Sequence, residues 1–349
     1  MKRPEPPTPA PRAARSARRK TGAITLRDVA KLAGVSVITA SRALNTPNLV
    51  SGDAQARVRE AVARTGYVPN LLAGGLASSR SRLVAALVPT IAGPIFLETI
   101  QALTDELEGA GFQLMLGQAG YANSREDALI DAIVGRRPDG IVLTGILHSP
   151  EGRKRLASSG IPVVETWDLT PTPIDMLVGF SHERVGEAVA ERIAAGRRKR
   201  PAIITADDQR AGLRRAGFER RLAALGLPAP PVLTVPAPSS LGNGRAALAE
   251  LFQRAPRTDA VFCSSDVLAQ GVMTEAHARG IAMPKSLGVI GFGDLAFAAH
   301  THPALTTVRV DGDAIGRQAA RFIIARVNDQ DPGPRVRDIG FSIVERASL

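Results

Sequence analysis

Val37, Ile38 and Arg42 lie toward the same side of a predicted helix that begins just after Ser36. An exposed valine–isoleucine pair is unfavourable on a surface that meets only water. In the major groove of DNA, however, methyl groups pack on thymine methyls and arginine donates to guanine edges. This combination predicts a helix that reads base edges. The alternative is a three-helix packing unit whose outer face is merely solvated.

The elements that would present this helix form an all-helical pattern. Thr25 is a typical N-cap, and apolar residues recur at helical spacing through residues 26–33. Gly34 permits the left-handed conformation that ends a helix, and a second helix then spans residues 36–44. A third amphipathic helix, over residues 51–66, braces the other two, so the layout is a helix-turn-helix.

The excess positive charge is confined to the first quarter of the chain. The 349 residues include 44 Lys/Arg and 33 Asp/Glu, a formal net charge of +11. Residues 1–82 hold 15 of the basic and 4 of the acidic residues, so the remaining 29 basic and 29 acidic residues cancel. This asymmetry indicates a polyanionic partner for the N-terminal part. The alternative is a basic tail that only aids solubility.

Composition excludes several classes of protein. The hydrophobic fraction of 44% and the charged fraction of 22% are typical of globular proteins. There is no run of about 18 apolar residues that would span a membrane, and the N-terminus lacks the apolar segment of a secretory signal. The single cysteine, Cys263, excludes internal disulfides and cysteine-rich zinc sites and suits a reducing compartment, so we expect a cytoplasmic protein.

Four segments follow from these patterns. We predict a disordered basic arm over residues 1–23, a helix-turn-helix DNA-binding domain over 24–68, a hinge helix or linker over 69–82, and an α/β domain over 83–349. In the last segment β-rich runs occur at 83–88, 113–116, 140–144, 162–165, 176–179, 202–206, 232–235, 260–263, 288–291 and 307–310. Helical stretches separate them, among them 96–110, 184–195, 242–254 and 267–279.

This alternation predicts parallel sheets covered by helices on both faces, and ten strands favour two α/β subdomains over one open sheet. Ligands in such folds bind beyond the carboxyl ends of the strands. The candidate binding residues at these ends are Ile95, Phe96, Thr144, His148, Glu165, Asp168, Ser265, Asp266 and Asp294. Each of the polar ones has an alternative role as an ordinary loop residue.

Motifs for catalysis or cofactor binding are missing from the sequence. No G-x-G-x-x-G follows the strand at 83–88, there is no P-loop, and Cys263 has no evident histidine–asparagine arrangement around it. We therefore expect no enzymatic activity, no cofactor and no metal. A solute-binding protein with the same core is an alternative, against which the basic helical head argues.

Residues 25–70 closely resemble the headpiece of the lactose-repressor (LacI/GalR) family. The matching text is DVAKLAGVS at 28–36, SRALN at 41–45 and GYVPN at 66–70. The likeness continues at lower density to about residue 307. Within the family, several segments resemble the gluconate-operon repressor subgroup, namely residues 140–150, 161–168, 178–180, 260–263, 266–269 and 338–341.

The resemblance implies roles in binding a double-stranded operator. Val37, Ile38 and Arg42 match the base-reading positions of the family, and further DNA contacts would come from Thr25, Thr39, Ser41 and Asn45. Asn70, Ala73 and Leu76 match the hinge helix, whose leucine the family inserts into the minor groove. The neighbouring Gly74 and Gly75 favour a hinge that orders only on DNA, because glycine disfavours helix.

The resemblance also implies a periplasmic-binding-protein-like core that closes over a small effector and forms a homodimer. Arg214 matches the ligand-contacting arginine of the family. Ser181-His182 stands where the family commonly has Asp-Asn, and His182 is a further candidate contact. Fewer acidic acceptors beside a retained arginine favour a sugar acid such as gluconate, whose carboxylate Arg214 would bind. A regulator that responds to a neutral sugar is the alternative.

Overall fold

The computed structural model describes residues 24–68, 80–120, 123–146 and 148–349. The described residues form two compact units, residues 24–68 and residues 80–349. Among the helices in the described ranges, none has both the length and the apolar character that crossing a membrane requires.

The first unit contains the three predicted helices, α1 (Leu26–Ala33), α2 (Val37–Asn45) and α3 (Gly52–Thr65). Each begins at a side-chain cap: Thr25, Ser36 and Ser51 accept hydrogen bonds from backbone N–H groups of the first turn. Gly34 ends α1 at a φ of 63° and thereby turns the chain sharply into α2. The small core that holds the helices together consists of Val29, Ala30, Ala33, Ala40, Val58 and Ala61.

The second unit contains two six-stranded sheets, which we call lobe 1 and lobe 2 with the helices that cover them. The strands are β1 Leu83–Val88, β2 Gln113–Gln118, β3 Gly140–Thr144, β4 Val163–Thr166, β5 Met176–Gly179, β6 Pro201–Ala206, β7 Val232–Val235, β8 Ala260–Cys263, β9 Gly288–Phe292, β10 Thr306–Arg309, β11 Val336–Asp338 and β12 Ser342–Val344. Lobe 1 has the strand order β11-β5-β4-β3-β1-β2, and lobe 2 has the order β12-β10-β9-β8-β6-β7. Neighbouring strands run parallel except the β10–β12 pair.

Helices cover both faces of each sheet, as the strand–helix alternation predicts. The helices are α4 Leu97–Gly109, α5 Asn123–Val134, α6 Pro150–Ser158, α7 His182–Ala195, α8 Gln209–Ala224, α9 Leu241–Arg254, α10 Asp266–Ala278 and α11 Gly312–Val327. Buried side chains of α4 and α11 pack on one face of the lobe 1 sheet, and those of α5 and α6 pack on the other. In lobe 2, α7 and α8 occupy one face, and α9 and α10 the other.

The chain crosses between the lobes three times. It passes from β5 to α7, returns from β10 to α11, and crosses again from β11 to β12. The ten predicted strands are therefore confirmed, but the two short strands β11 and β12 were not predicted, since three residues are too few for a period-two pattern. They complete one sheet each beside the crossing points.

Candidate functional sites

The outer face of α2 carries the predicted base-reading side chains. Val37 and Ile38 are exposed to 41% and 65%, whereas Ala40 on the opposite side is fully buried in the three-helix core. Arg42 is exposed beside them. Arg57 and Arg64 pair with carboxylates on α3, but no such pair holds Arg42 within the described part of the chain. An apolar pair and an uncommitted guanidinium on one helix face suit contact with base edges.

The other predicted DNA-contacting residues on this unit already form hydrogen bonds within it. Thr25 and Asp28 form a capping box, with the Thr25 hydroxyl 2.6 Å from the Asp28 carboxylate. Thr39 donates its backbone N–H to the Ser36 hydroxyl at 3.0 Å, and the Asn45 amide donates to the Ser41 carbonyl at 3.0 Å. Thr25, Thr39, Ser41 and Asn45 therefore stabilise helix ends as well. Asn70, Ala73 and Leu76 lie outside the described residues.

In the second unit two adjoining cavities lie between the carboxyl ends of the strands of both lobes. The larger has a volume of about 310 Å³ and the smaller about 100 Å³, and both are bordered by Asp208 and Arg210 at the start of α8. We call the larger the acidic cavity, because its wall includes Glu126, Asp168, Asp207 and Asp208. We call the smaller the arginine cavity, because Arg210 and Arg214 both line it.

Eight of the predicted effector contacts line these cavities. Ile95, Phe96, His182, Arg214 and Ser265 line the arginine cavity. Thr144, His148 and Asp168 line the acidic cavity.

Arg214 is the central charge of the arginine cavity. It is 5% exposed, and its two terminal nitrogens donate to His182 Nδ1 at 2.9 Å and to the Ser264 carbonyl at 3.1 Å. Its guanidinium carbon lies 4.1 Å from the centre of the Phe292 ring, a cation–π contact. Burial lowers the pKa of Arg214 to about 10, and the carboxylate of Asp208 opposes that shift. The guanidinium therefore keeps its charge near neutral pH while its direct partners are uncharged.

His182 holds this guanidinium from α7. Its Nε2 lies 2.9 Å from the Trp167 carbonyl, which can only accept, so Nε2 donates and Nδ1 is left to accept from Arg214. Burial and the neighbouring Arg214 keep the pKa of His182 well below its usual value, so the ring is neutral. Both ring nitrogens are engaged, and we interpret His182 as a residue that positions Arg214.

Aromatic rings enclose the cavity. Trp167 packs edge-on against Phe96 at 5.2 Å and Phe180 at 6.0 Å, and its indole N–H donates to Thr99 at 3.0 Å. Its backbone has a φ of 63°, a left-handed conformation that is unusual for a bulky residue. This turn directs the Trp167 carbonyl to His182 and places the next residue, Asp168, in the wall of the acidic cavity.

Asp168 is a buried carboxylate with one unsatisfied oxygen. It is 3% exposed, Oδ1 accepts from the Leu169 N–H at 2.8 Å, and Oδ2 is buried without a hydrogen-bond partner among the described residues. Burial raises its pKa to about 6, although Arg210 and Arg214 act in the opposite direction. An acceptor of this kind suits a ligand hydroxyl.

Glu165, Asp266 and Asp294 do not line either cavity. Glu165 lies within β4, accepts from the Ile174 N–H at 2.6 Å and comes within 3.6 Å of His148 Nε2. Asp266 accepts from the Thr307 hydroxyl and the Leu295 N–H. Asp294 pairs with Arg346 at 2.7 Å. These carboxylates join parts of the scaffold to each other.

His148 lies between two carboxylates at the edge of the acidic cavity. Its Nδ1 is 2.9 Å from Glu126 and its Nε2 is 3.1 Å from the Gly145 carbonyl. Burial would lower the pKa of His148, but the hydrogen bond to Glu126 and the charges of Glu126 and Glu165 outweigh it and raise the pKa above the usual value. His148 is thus held by lobe 1 itself.

Sequence reasoning missed several residues of the cleft, namely Trp167, Asp208, Arg210, Ser264 and Phe292. Two of these residues could have been found from the sequence. Trp167 is the only tryptophan in the chain and stands beside the predicted Asp168, and Arg210 precedes Arg214 by one helical turn. Arg210 belongs to lobe 2 but donates to the Thr144 carbonyl of lobe 1 at 3.4 Å.

Comparison with known proteins agrees with this two-part architecture. Residues 25–70 match the model described as bacterial regulatory proteins, lacI family, and residues 184–349 match the periplasmic binding protein-like domain. The HTH-type transcriptional regulator GntR of Pseudomonas aeruginosa is 39% identical over 333 residues, which are 95% of this chain and 97% of the relative.

Solved structures of similar proteins share this two-part architecture or its ligand-binding core. A transcriptional regulator of the LacI family from Silicibacter pomeroyi superposes with a TM-score of 0.88 at 31% identity, covering 93% of this chain and 99% of that one. The transcription regulator GntR of Chromobacterium violaceum has a TM-score of 0.73 at 33% identity, covering 76% of this chain and 98% of its own. A helix-turn-helix unit followed by a two-lobed ligand-binding core defines a DNA-binding transcriptional regulator rather than an enzyme. The chain belongs to the LacI family of bacterial transcriptional regulators.

Proposed function

We propose that this regulator is a repressor of a sugar-acid catabolic operon and that gluconate, or a close sugar acid, is its effector. The observation that carries the proposal is the buried Arg214, whose guanidinium donates to a neutral imidazole and a carbonyl and forms no ion pair with a carboxylate of the described residues. A buried charge without a directly paired counter-charge is unfavourable, and a carboxylate ligand would supply that partner. Relatives named GntR, at 39% and 33% identity, support the choice of a sugar acid.

The remainder of the cleft suits a polyhydroxylated chain. Arg214 makes two of its five possible N–H hydrogen bonds, so donors remain for the two oxygens of a carboxylate. Asp168 and Asp208 in the acidic cavity offer acceptors for ligand hydroxyls, and Ser265 and Thr144 offer further polar groups. A ligand held by Asp168 from lobe 1 and Arg214 from lobe 2 favours one arrangement of the lobes, as a switch requires.

On the DNA side we propose that α2 enters the major groove of an operator and that the protein acts as a homodimer on a pseudo-palindromic site. The exposed Val37, Ile38 and Arg42 support the first part. Two-fold symmetric binding follows from the geometry of helix-turn-helix dimers, whose recognition helices lie one helical turn of DNA apart. Effector binding would weaken the operator complex by roughly 5- to 150-fold, the range typical of allosteric coupling.

Two measurements test the proposal on the full chain. Calorimetry with gluconate and with glucose should show binding of the acid alone, and Arg214→Met should weaken that binding by roughly 100-fold, since a buried charge-assisted pair is lost. Arg215→Met is the matched control, because Arg215 is the next residue on α8 and pairs with Glu219 outside both cavities. Equal binding of glucose and gluconate would leave the regulator but remove the sugar-acid effector.

Operator release gives the second readout. Gel-shift titration with an operator fragment should show release by gluconate for the parent and for Arg215→Met, while Arg214→Met stays bound at the same concentrations. Tighter DNA binding on addition of gluconate would make the acid a co-repressor and contradict the proposed direction. Light scattering of the protein and of its operator complex would check the dimer.

A further inference from the structure

The contact between α7 and α8 places a neutral acceptor against the buried guanidinium of the arginine cavity. His182 is the first residue of α7, and its Nδ1 accepts from Arg214 at 2.9 Å. The Trp167 carbonyl fixes the ring tautomer through Nε2. A second proton on the ring would place an N–H against the N–H donors of Arg214, so the arrangement depends on an uncharged histidine.

The backbones of the two helices fix this contact. A Cβ on Gly186 would lie 1.9 Å from the Arg214 carbonyl oxygen, and a Cβ on Gly217 would lie 2.1 Å from that of Glu183. The glycines therefore let α7 and α8 touch one turn beyond the His182–Arg214 pair. Because both backbones are in contact there, the imidazole and the guanidinium have little freedom to separate.

We propose that His182 sets the charge selectivity of the cleft: by holding Arg214 with an uncharged acceptor, it leaves the counter-charge to be supplied by the effector. This inference rests on the proposed sugar-acid effector and names the residue that enforces it. A carboxylate in the place of His182 would neutralise Arg214 inside the protein. A negative charge on the effector would then contribute less to the binding free energy, and a neutral ligand would bind with an affinity closer to that of the acid.

Side-chain geometry provides a matched pair of variants. In histidine, asparagine and aspartate the first acceptor beyond Cγ occupies an equivalent position, so Oδ1 of either substitute can replace Nδ1 opposite Arg214. His182→Asn keeps a neutral acceptor there, whereas His182→Asp places a negative charge at the same point. Both variants lose the hydrogen bond to the Trp167 carbonyl, so the loss of that bond cancels in the comparison.

The experiment measures the ratio of the affinities for gluconate and gluconamide, which differ by the charge of one group, by calorimetry at pH 7.5. The wild type and His182→Asn should prefer the acid by roughly 10- to 100-fold, the difference between a charged and a neutral hydrogen-bond partner. His182→Asp should reduce that ratio by roughly tenfold or more on the same grounds. Thermal melting confirms that each variant is folded before titration.

The outcomes separate this inference from the proposed function. A wild type that prefers gluconate and a His182→Asp variant with the same preference would overturn the role of His182 and leave the sugar-acid effector intact. A His182→Asn variant that loses the preference as fully as His182→Asp would also overturn it, since the imidazole shape rather than its charge would then matter. A wild type that binds both compounds equally, or neither, would overturn the effector and this inference together.

Discussion

Asp168 and Arg214 carry opposite charges into the same cleft, yet each keeps a buried atom without a hydrogen-bond partner among the described residues, Oδ2 of the aspartate and Nε of the arginine. In a folded protein such groups are usually paired. Burying each of these atoms without a partner costs stability, and an effector with a carboxylate and hydroxyl groups would supply a partner at both ends.

The stability of the protein should therefore depend on Asp168 and on pH. Its folded-state pKa of about 6 exceeds the ordinary 3.8, so the folded chain holds the proton more tightly than the unfolded chain. Its contribution is favourable in acid and is lost as the pH rises from about 4 to about 6. Asp168→Asn should stabilise the protein by about 1–3 kcal/mol at pH 7.5.

Chemical denaturation at pH 7.5 and pH 5 measures this effect. The gain from Asp168→Asn should shrink at the lower pH, where the aspartate takes up its proton. Asp207→Asn removes the same charge from an exposed position in the same cavity and should change stability little. Equal gains from the two variants would mean that net charge, and not burial, is responsible.

The close crossing of α7 and α8 leads to a second prediction. Gly186→Ala should destabilise the protein by about 2 kcal/mol or more, because the new methyl group meets the Arg214 carbonyl and the helices must separate. Gly212 lies on α8 with open space around its Cβ position, so Gly212→Ala should stabilise by up to about 1 kcal/mol. Thermal melting compares the two. An unchanged melting temperature for Gly186→Ala would show that the helix pair is loosely packed.

Base reading by α2 is tested through sequence discrimination. Arg42→Ala should reduce the preference for operator over random DNA by about 1–3 kcal/mol, the value of one base-edge contact. Arg64→Ala is the control, since Arg64 is an exposed arginine of the same unit that pairs with Glu60 on α3. Gel-shift titrations on both kinds of DNA give the ratio. A uniform loss on the two DNAs would make Arg42 a phosphate contact.

The charge distribution makes operator affinity sensitive to salt. Because the surplus of +11 lies within residues 1–82, binding should release many counterions, and affinity should fall steeply as salt increases. A double-logarithmic plot of the binding constant against salt concentration measures the number of phosphates contacted. A nearly flat plot between low and physiological salt would contradict the charge argument.

Sequence reasoning reached the fold because the local signals agree with it. Thr25, Gly34 and Ser36 mark helix ends through chemistry that acts over a few residues, and the strands of each lobe are short apolar runs. Asp168 and Thr144, chosen because they follow predicted strands, both line the acidic cavity. The surroundings of a single side chain cannot be read from such local signals, because a shift of one residue in a strand end, or a partner far along the chain, decides them.

Glu165 is an example. Its strand was predicted to end at 165 but extends to Thr166, so Glu165 lies inside the sheet, where it accepts from the Ile174 N–H and lies near His148 instead of lining a cavity. Asp266 and Asp294 lie outside both cavities for another reason. Their partners, Thr307 and Arg346, come from distant parts of the chain, and only the folded topology brings them together.

The three crossings between the lobes determine the order in which each lobe can be completed during synthesis on the ribosome. The lobe 1 strand β5 ends at Gly179, but α11, which packs on that sheet, begins only at Gly312, and the edge strand β11 follows at Val336. Until those residues have been synthesised, the sheet exposes an apolar face that includes Val142, Val164 and Val178. Synthesis of lobe 1 thus begins first but is completed only after most of lobe 2. A nascent chain stalled within lobe 2 would therefore expose an apolar, partly covered sheet face to chaperones and proteases.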